Sequence, residues 1–181
     1  MKRITFTLIV FLMATSVFCQ QQAAKTKDQE ISNAEKFSDR SGTLIKKELF
    51  DVGSLNKCII QIATFTDLIS DQKSIAVRFE YEHQGSYSSD TKVALLDADE
   101  IEGLIKSLKI IQDKILPTTA SNYTEVNFRS RSGFSAGCFS KKDSWSAYMK
   151  LERYDSDSYV WMNKDDLNKL LVLMEQAKSK L

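Results

Sequence analysis

The amino-acid sequence predicts an α+β protein built from two tandem ββββα units, with antiparallel sheets and one helix per unit packed on one face. Residues 93–115 and 159–180 follow one plan, which is an apolar strand, a polar cap and an amphipathic helix. A second echo links 74–80 (SIAVRFE) to 146–152 (SAYMKLE), where the serine, a basic residue and the final glutamate recur. An internal repeat of this length indicates a duplicated supersecondary unit. Runs of strands closed by a helix are typical of an α+β arrangement.

The first nineteen residues have the pattern of a secretory signal peptide. Lys2 and Arg3 precede an uncharged apolar run over 4–18, which is too short to span a membrane. Cleavage after Cys19 would release the mature chain, whereas Phe18 disfavours the alternative in which Cys19 is the acylated cysteine of a lipoprotein. No later apolar run is long enough for a spanning helix. We therefore expect an exported mature chain, periplasmic or extracellular, with no membrane span.

Residues 20–41 form a polar segment with few large apolar side chains. Such a segment buries too little surface to offset the entropy of ordering it, which predicts a flexible N-terminal tether. The alternative is a segment that is partly helical around Ala34 to Phe37.

Unit one covers residues 42–116. Within it, the alternation over 74–83 places Val77 and Phe79 on one face and charged side chains on the other, as a half-buried strand requires. Asp97, followed three residues later by Glu100, has the pattern of a capping box at the start of a helix. The predicted strands are 43–52, 58–66, 74–83 and 91–96, and the buried helix stripe is Ile101, Leu104, Ile105, Leu108 and Ile115.

Unit two covers residues 117–181 and begins at the only proline of the chain, Pro117, which disfavours continuing the preceding helix. Asn163 is placed to cap the last helix, with Asp166 at its third position. Since one unit alone covers its own sheet poorly, we expect the two units to share one core. The predicted strands are 123–130, 134–140, 145–154 and 159–162, and the helix stripe is Leu167, Leu170, Leu171, Met174 and Ala177.

Charge and cysteine content limit the classes of function. Removal of the leader turns 25 basic and 24 acidic residues into 23 and 24, a net charge of −1, which argues against a general polyanion binder. Cys58 and Cys138 would remain, either as a disulfide of an exported protein or as small buried hydrophobes. A single histidine and the absence of a CxxC pair make a zinc site improbable, so we expect no metal and no cofactor.

The best candidate for a binding site lies in unit two, where residues 127–142 contain four basic residues and no acid. On a strand, Arg129 and Arg131 would share a face. Aromatic residues are dense around this stretch, among them Phe139, Tyr159 and Trp161. Such a face would suit an anionic glycan, a peptide strand or another polyanion. The alternative is that the aromatics are core and the basic residues form a solvated hairpin. The candidate ligand-binding residues are Arg129, Arg131, Lys141, Lys142, Trp145, Tyr148 and Lys150.

The order of elements, ββββα twice, resembles that of the PUR and Whirly families of single-strand binders. In those families the sheet face away from the helices holds single-stranded nucleic acid with stacked aromatics and basic residues. The resemblance lies in the order of elements, so it implies an open sheet face as a platform and no particular functional residue.

These observations predict an exported, soluble, non-catalytic binding or structural protein of unknown ligand. It would act through an open sheet face or a strand edge, on a glycan, a peptide or an envelope protein. One alternative is a small secreted hydrolase, which the missing nucleophile motifs disfavour. Another is a single-stranded nucleic-acid binder, which export and the net charge of −1 disfavour.

Overall fold

A computed structural model describes residues 30–85, 88–141 and 144–181. The predicted signal peptide, Cys19, the first part of the polar segment and the candidate site residue Lys142 lie outside the described residues. The described chain is α+β, with two four-stranded antiparallel sheets and three α-helices. None of its helices is long and apolar enough to cross a membrane.

Each sheet is a meander in which neighbouring strands follow one another in the chain. The first sheet is followed by α2, Ala98–Ile110, which continues as a π-helical turn over Ile111–Ile115, and the second by α3, Lys164–Lys178. The first sheet has β1 Ile45–Leu55, β2 Cys58–Asp67, β3 Lys73–Gln84 and β4 Ser89–Asp97, and the second has β5 Glu125–Arg129, β6 Ser135–Lys141, β7 Ser144–Lys150 and β8 Tyr159–Met162.

One hydrophobic core joins both sheets to α2 and α3. The rings of Phe79 in β3 and Phe134 just before β6 have centroids 4.7 Å apart, so the sheets touch directly. The helix residues Leu104 and Leu170 are fully buried in the same core. We call the sheet faces that meet in this core the inner faces, and the opposite ones the outer faces.

Local caps fix where the two long helices begin. The Asn163 side chain accepts a hydrogen bond from the backbone N–H of Asp166 at 2.9 Å. In turn, the Asp166 carboxylate accepts one from the backbone N–H of Asn163 at 3.0 Å. Glu100 accepts from the backbone N–H of Asp97 at 3.1 Å. The carboxylate of Asp97 accepts from the backbone N–H groups of Asn33 and Ala34, at 2.7 and 3.0 Å. Asp97 therefore connects the start of α2 to a third helix.

That third helix is α1, Asn33–Ser38, which belongs to the polar segment 20–41. Its Ala34 and Phe37 are buried against Ala63, Phe65 and Ala76 on the outer face of the first sheet. The first sheet thus carries helices on both faces, whereas the sequence predicted helices on one face only. Two apolar side chains one turn apart supply the burial that orders this short helix.

The predicted strand 145–154 is shorter in the structure, because β7 ends at Lys150. A bend follows, in which Ser158 is fully buried and its hydroxyl donates to the carbonyl oxygens of Glu152 and Asp155. This side-chain bonding offers the backbone an alternative to the sheet ladder. It returns the chain to β8.

Candidate ligand-binding face

The register of the second sheet places a group of aromatic side chains together on its outer face. Gly137 pairs with both Asn127 and Tyr148, and Tyr148 pairs with Trp161, so these four residues form one row across the sheet. Residues two positions away along each strand share this face. The helices α2 and α3 pack on the inner face of the same sheet. We call the ring cluster on the outer face the aromatic face: Tyr123, Phe139, Tyr148, Tyr159 and Trp161.

The rings contact one another in ordered geometries. Tyr159 and Trp161 are stacked, with centroids 5.0 Å apart and planes 4° from parallel. Tyr148 meets both of them edge-on, at 5.3 and 6.3 Å, and Phe139 meets Trp161 edge-on at 6.1 Å. Stacked and edge-to-face pairs are the favoured arrangements of aromatic rings. The cluster is therefore a packed and ordered surface.

Exposure differs sharply between the rings. Tyr148 is 3% exposed, whereas Trp161 is 57% and Tyr123 73% exposed. The open ring surface of the face thus comes mainly from Trp161 and Tyr123.

Gly137 lies at the centre of this face because the neighbouring strand approaches it too closely for any side chain. A Cβ atom there would lie 2.2 Å from the carbonyl oxygen of Val126 and 2.7 Å from Asn127 Cα. The absence of a side chain lets residues of β5 and β7 meet across β6. Asn127 donates to the hydroxyl of Tyr148 at 3.3 Å, and that hydroxyl donates to Glu125 at 2.5 Å.

Glu125 is the charged centre of this network. Its carboxylate accepts hydrogen bonds from Tyr148 at 2.5 Å, Asn127 at 2.8 Å and Tyr123 at 3.3 Å. The bond from Tyr148 is the main reason that the pKa of Glu125 is lowered, so the carboxylate is ionised at neutral pH. Burial, followed by the bond to Glu125, raises the pKa of Tyr148, which stays protonated as a donor.

A cavity of about 260 Å³ opens on this face. Five aromatic rings and one carboxylate line it, and no Lys or Arg is among the described residues of its lining. Lys150 lies beside the cluster, with its Nζ 4.7 Å from the ring centroid of Tyr159 and donating to the carbonyl of Arg153 at 3.0 Å. The face thus offers ring surfaces, one fixed negative charge and a cation at its border.

The structure brings four of the predicted site residues to the outer face of the second sheet. Arg129, Tyr148 and Lys150 lie there by strand register, and Lys141 follows Phe139 by two positions at the end of β6. Trp145 does not: it packs against the core, and its Nε1 donates to the carbonyl of Thr118 at 2.7 Å.

The prediction that Arg131 shares a strand face with Arg129 is wrong, because β5 ends at Arg129. A tight turn follows, in which Ser130 N–H bonds the carbonyl of Phe134 and Gly133 adopts φ 93°. Arg131 points to the start of α2, where it pairs with Asp97 at 3.2 Å and also with Asp99. Its contacts are those of a structural residue.

Several residues of the face were not among the predicted site residues. Tyr159 and Trp161 alternate with the buried Val160 and Met162. This alternation in the sequence predicts that the two rings share one face of the strand. Glu125 gave no comparable sign, since its contact with Tyr148 joins residues 23 positions apart in the sequence. Phe139, Tyr159 and Trp161 were noted from the sequence as aromatic surroundings of the basic stretch but not as ligand-binding residues, and Tyr123, Glu125 and Asn127 were not noted.

The two cysteines are free and buried on the inner faces, so the disulfide considered from the sequence is not formed in the structure. Burial raises the pKa of Cys58 to about 12 and that of Cys138 to about 11. Both thiols therefore remain protonated and are poor nucleophiles. Among the described residues, no group of three or more His, Cys, Asp or Glu side chains is placed to hold a metal ion.

Comparison of the chain with protein-family models, with curated proteins and with solved structures finds no match.

Proposed function

We propose that this chain is an exported binding protein that holds its ligand on the outer face of the second sheet. The observation that carries the proposal is the aromatic face, where five clustered rings include two that are more than half exposed. Apolar ring surface left in water is unfavourable, and covering it with a ligand recovers that free energy. The N-terminal pattern of Lys2, Arg3 and an apolar run supports export.

The arrangement favours binding because its groups are already in place. Tyr148 is buried, and its hydroxyl is held between Asn127 and Glu125, so ordering the site on binding requires little further loss of side-chain entropy. Tyr159 and Trp161 are fixed by stacking on one another. Binding sites are commonly lined by aromatic groups with a few convergent polar atoms that orient the ligand. The face has this composition.

We also propose that the two halves are copies of one ββββα unit that share an interior. Both sheets have the same strand order, and a helix follows each sheet. In each helix an acidic residue occupies the third position after the N-cap. In this proposal the inner faces of both copies pack into the shared core, and the outer face of the second copy binds the ligand.

The proposal is tested with a variant that removes the exposed stack, Tyr159→Ala with Trp161→Ala. The matched control is Tyr154→Ala, which removes a ring that is 66% exposed outside the cluster. Immobilised proteins would be exposed to small-molecule and glycan extracts of bacterial medium and envelope, and retained compounds identified by mass spectrometry. We expect compounds retained by the parent chain and the control and lost by the double variant. Identical retention by all three proteins would contradict the proposal.

A further inference from the structure

We infer that the ligand of the aromatic face is an organic cation, and in particular a quaternary ammonium group bound in the cavity between the rings and Glu125. This inference rests on the proposed function and adds the chemical class of the ligand. It is carried by the composition of the lining, which combines five ring systems with a single carboxylate in about 260 Å³.

The rings supply the first part of the attraction. An aromatic ring has a negative face, and a cation within about 6 Å of its centroid is attracted to it, most strongly by Trp and Tyr. Four of the five rings in the lining are Trp or Tyr. A quaternary ammonium has no N–H to donate, so it gives up few hydrogen bonds to water on entering a site lined by rings. Ring-lined cavities are the known solution for this type of cation.

Charge supplies the second part. Glu125 is ionised and belongs to the cavity wall, and no cationic residue is among the described residues of the lining. An anionic ligand would be repelled at this position. A neutral sugar would also stack on the rings and donate hydroxyl hydrogen bonds to the carboxylate, but it would lack the attraction between two full charges.

Three described cations share this face with Glu125, and none of them is in the lining of the cavity. Arg129 is on the same strand, four residues further along, which is roughly 13 Å. Lys150 pairs across the sheet with Tyr159, in the row of Arg129 rather than that of Glu125. Lys141 lies on the other side of Glu125, since it follows Phe139, the partner of Glu125, by two positions. Glu125 is thus placed between cations along the face, and it is the one charged residue among the described residues of the cavity lining.

The molecule already uses one of these rings to hold a cation. Lys150 Nζ lies 4.7 Å from the centroid of the Tyr159 ring, within the range of a favourable cation–π contact. Tyr159 also lines the cavity, so the cluster accepts positive charge on a ring that belongs to the site.

The experiment is a calorimetric titration of the mature chain with choline, compared with its neutral isostere in which carbon replaces the ammonium nitrogen. We expect saturable binding of choline, with the isostere at least about tenfold weaker. Glu125→Gln should weaken choline about tenfold, because the amide oxygen still accepts from Tyr148 while the charge is lost. Glu82→Gln, an exposed carboxylate on the first sheet, is the matched control and should leave choline affinity unchanged.

The pH dependence gives a second readout, since choline keeps its charge at every pH. The groups that face Glu125 are Tyr123, Tyr148 and Asn127, with the cation Arg129 further along the strand and the cation Lys141 two positions beyond Phe139 on the paired strand. Because the pKa of Glu125 is lowered, its charge is fully present above the ordinary glutamate value and lost only as the pH falls below it. Choline affinity should therefore be constant from pH 8 to about 5 and fall at lower pH.

The outcomes separate this inference from the proposed function. Equal affinity for choline and its isostere, no choline binding, or no effect of Glu125→Gln would each overturn the cation inference. If a neutral saccharide binds instead and is lost in the Tyr159→Ala, Trp161→Ala variant, the inference falls and the proposed function stands. If the double variant retains every compound, both fall. Matching thermal unfolding of the variants would show that each outcome reports binding rather than folding.

Discussion

The outer faces of the two sheets differ although their inner faces share one core. On the first sheet, α1 covers one end with Ala34 and Phe37, and the remainder carries aliphatic and charged side chains. Arg78 is buried there, donating to Gln61 at 2.8 Å and pairing with Glu80. The second sheet presents aromatic rings around one carboxylate. An inner face has to fit its partner, whereas an outer face is free to acquire a function, and we propose that the outer face of the second sheet has acquired one.

The comparison depends on the inner faces of both sheets forming one shared core. Variants that disrupt this core should have the largest effect on stability. Leu104→Asp or Leu170→Asp would place an unpaired charge in the shared core, since each leucine is fully buried. We expect either change to cost about 4 kcal/mol or more and to unfold both sheets together. Urea unfolding followed by circular dichroism measures this.

The control for these variants is Val172→Asp, at a half-exposed position of α3. Its free energy of unfolding should change by less than about 1 kcal/mol. Unfolding of one sheet while the other stays intact would show two separate cores.

The next largest effect concerns the centre of the aromatic face. Gly137→Ala would place a methyl group 2.2 Å from the Val126 carbonyl oxygen, and the backbone of β5 would have to move. We expect a loss of about 2–3 kcal/mol in urea unfolding. The bonds from Asn127 and Tyr148 across the glycine should break as well.

Gly103→Ala in α2 is the comparison, because its new Cβ would meet only the edge of the Phe128 ring at 3.3 Å. The gain in helix propensity offsets that contact, so its stability should stay within about 1 kcal/mol of the parent. Equal losses for the two glycines would mean that the close approach at Gly137 is unimportant.

Two neighbouring arginines should differ in their effect on stability, because one lies on the outer face and the other contacts the start of α2. Arg131→Ala removes the ion pairs to Asp97 and Asp99 at the start of α2, and we expect a loss of about 1–2 kcal/mol. Arg129→Ala, at an exposed position of β5, should change stability by less than about 0.5 kcal/mol. Thermal unfolding of the two single variants measures these losses. A larger loss for Arg129→Ala than for Arg131→Ala would contradict the structural role of Arg131.

The smallest effect concerns a contact between the two sheets. Asn56, in the turn between β1 and β2, donates to the carbonyl of Trp161 at 2.9 Å and to Asp166 at 3.0 Å. Asn56→Gly removes these bonds without backbone strain, since Asn56 has φ 46°. We expect a loss of about 1 kcal/mol in urea unfolding. Lys57→Gly, at φ 67° in the same turn, lacks these bonds and should not lower stability.

The sequence predicted which residues form the inner faces, and it predicted only some of the residues that meet on the outer faces. Period-two alternation located Val77 and Phe79, and helical spacing located Leu104 and Leu170, because burial leaves a direct mark on the pattern. The aromatic face depends on which residues of different strands pair, and no local pattern encodes the pairing of Gly137 with Asn127 and Tyr148.

Arg131 shows the other limit of the sequence. Its spacing from Arg129 suits a strand, and only the turn closed by Ser130 and Phe134 carries it away from the sheet. The helix α1 was one of two alternatives for its segment, because two apolar residues order it only if a sheet lies beneath them.

The most direct measurement uses the two tryptophans, one on each side of the second sheet. In a proton–nitrogen NMR spectrum of the labelled chain, titration with choline should shift the indole signal of Trp161 on the outer face. The signal of Trp145, whose Nε1 is bonded to Thr118 on the core side, should stay in place. Compounds retained in the extract screen should act in the same way. A shift of Trp145 with Trp161 unmoved, or retained compounds that move neither signal, would contradict binding on the aromatic face.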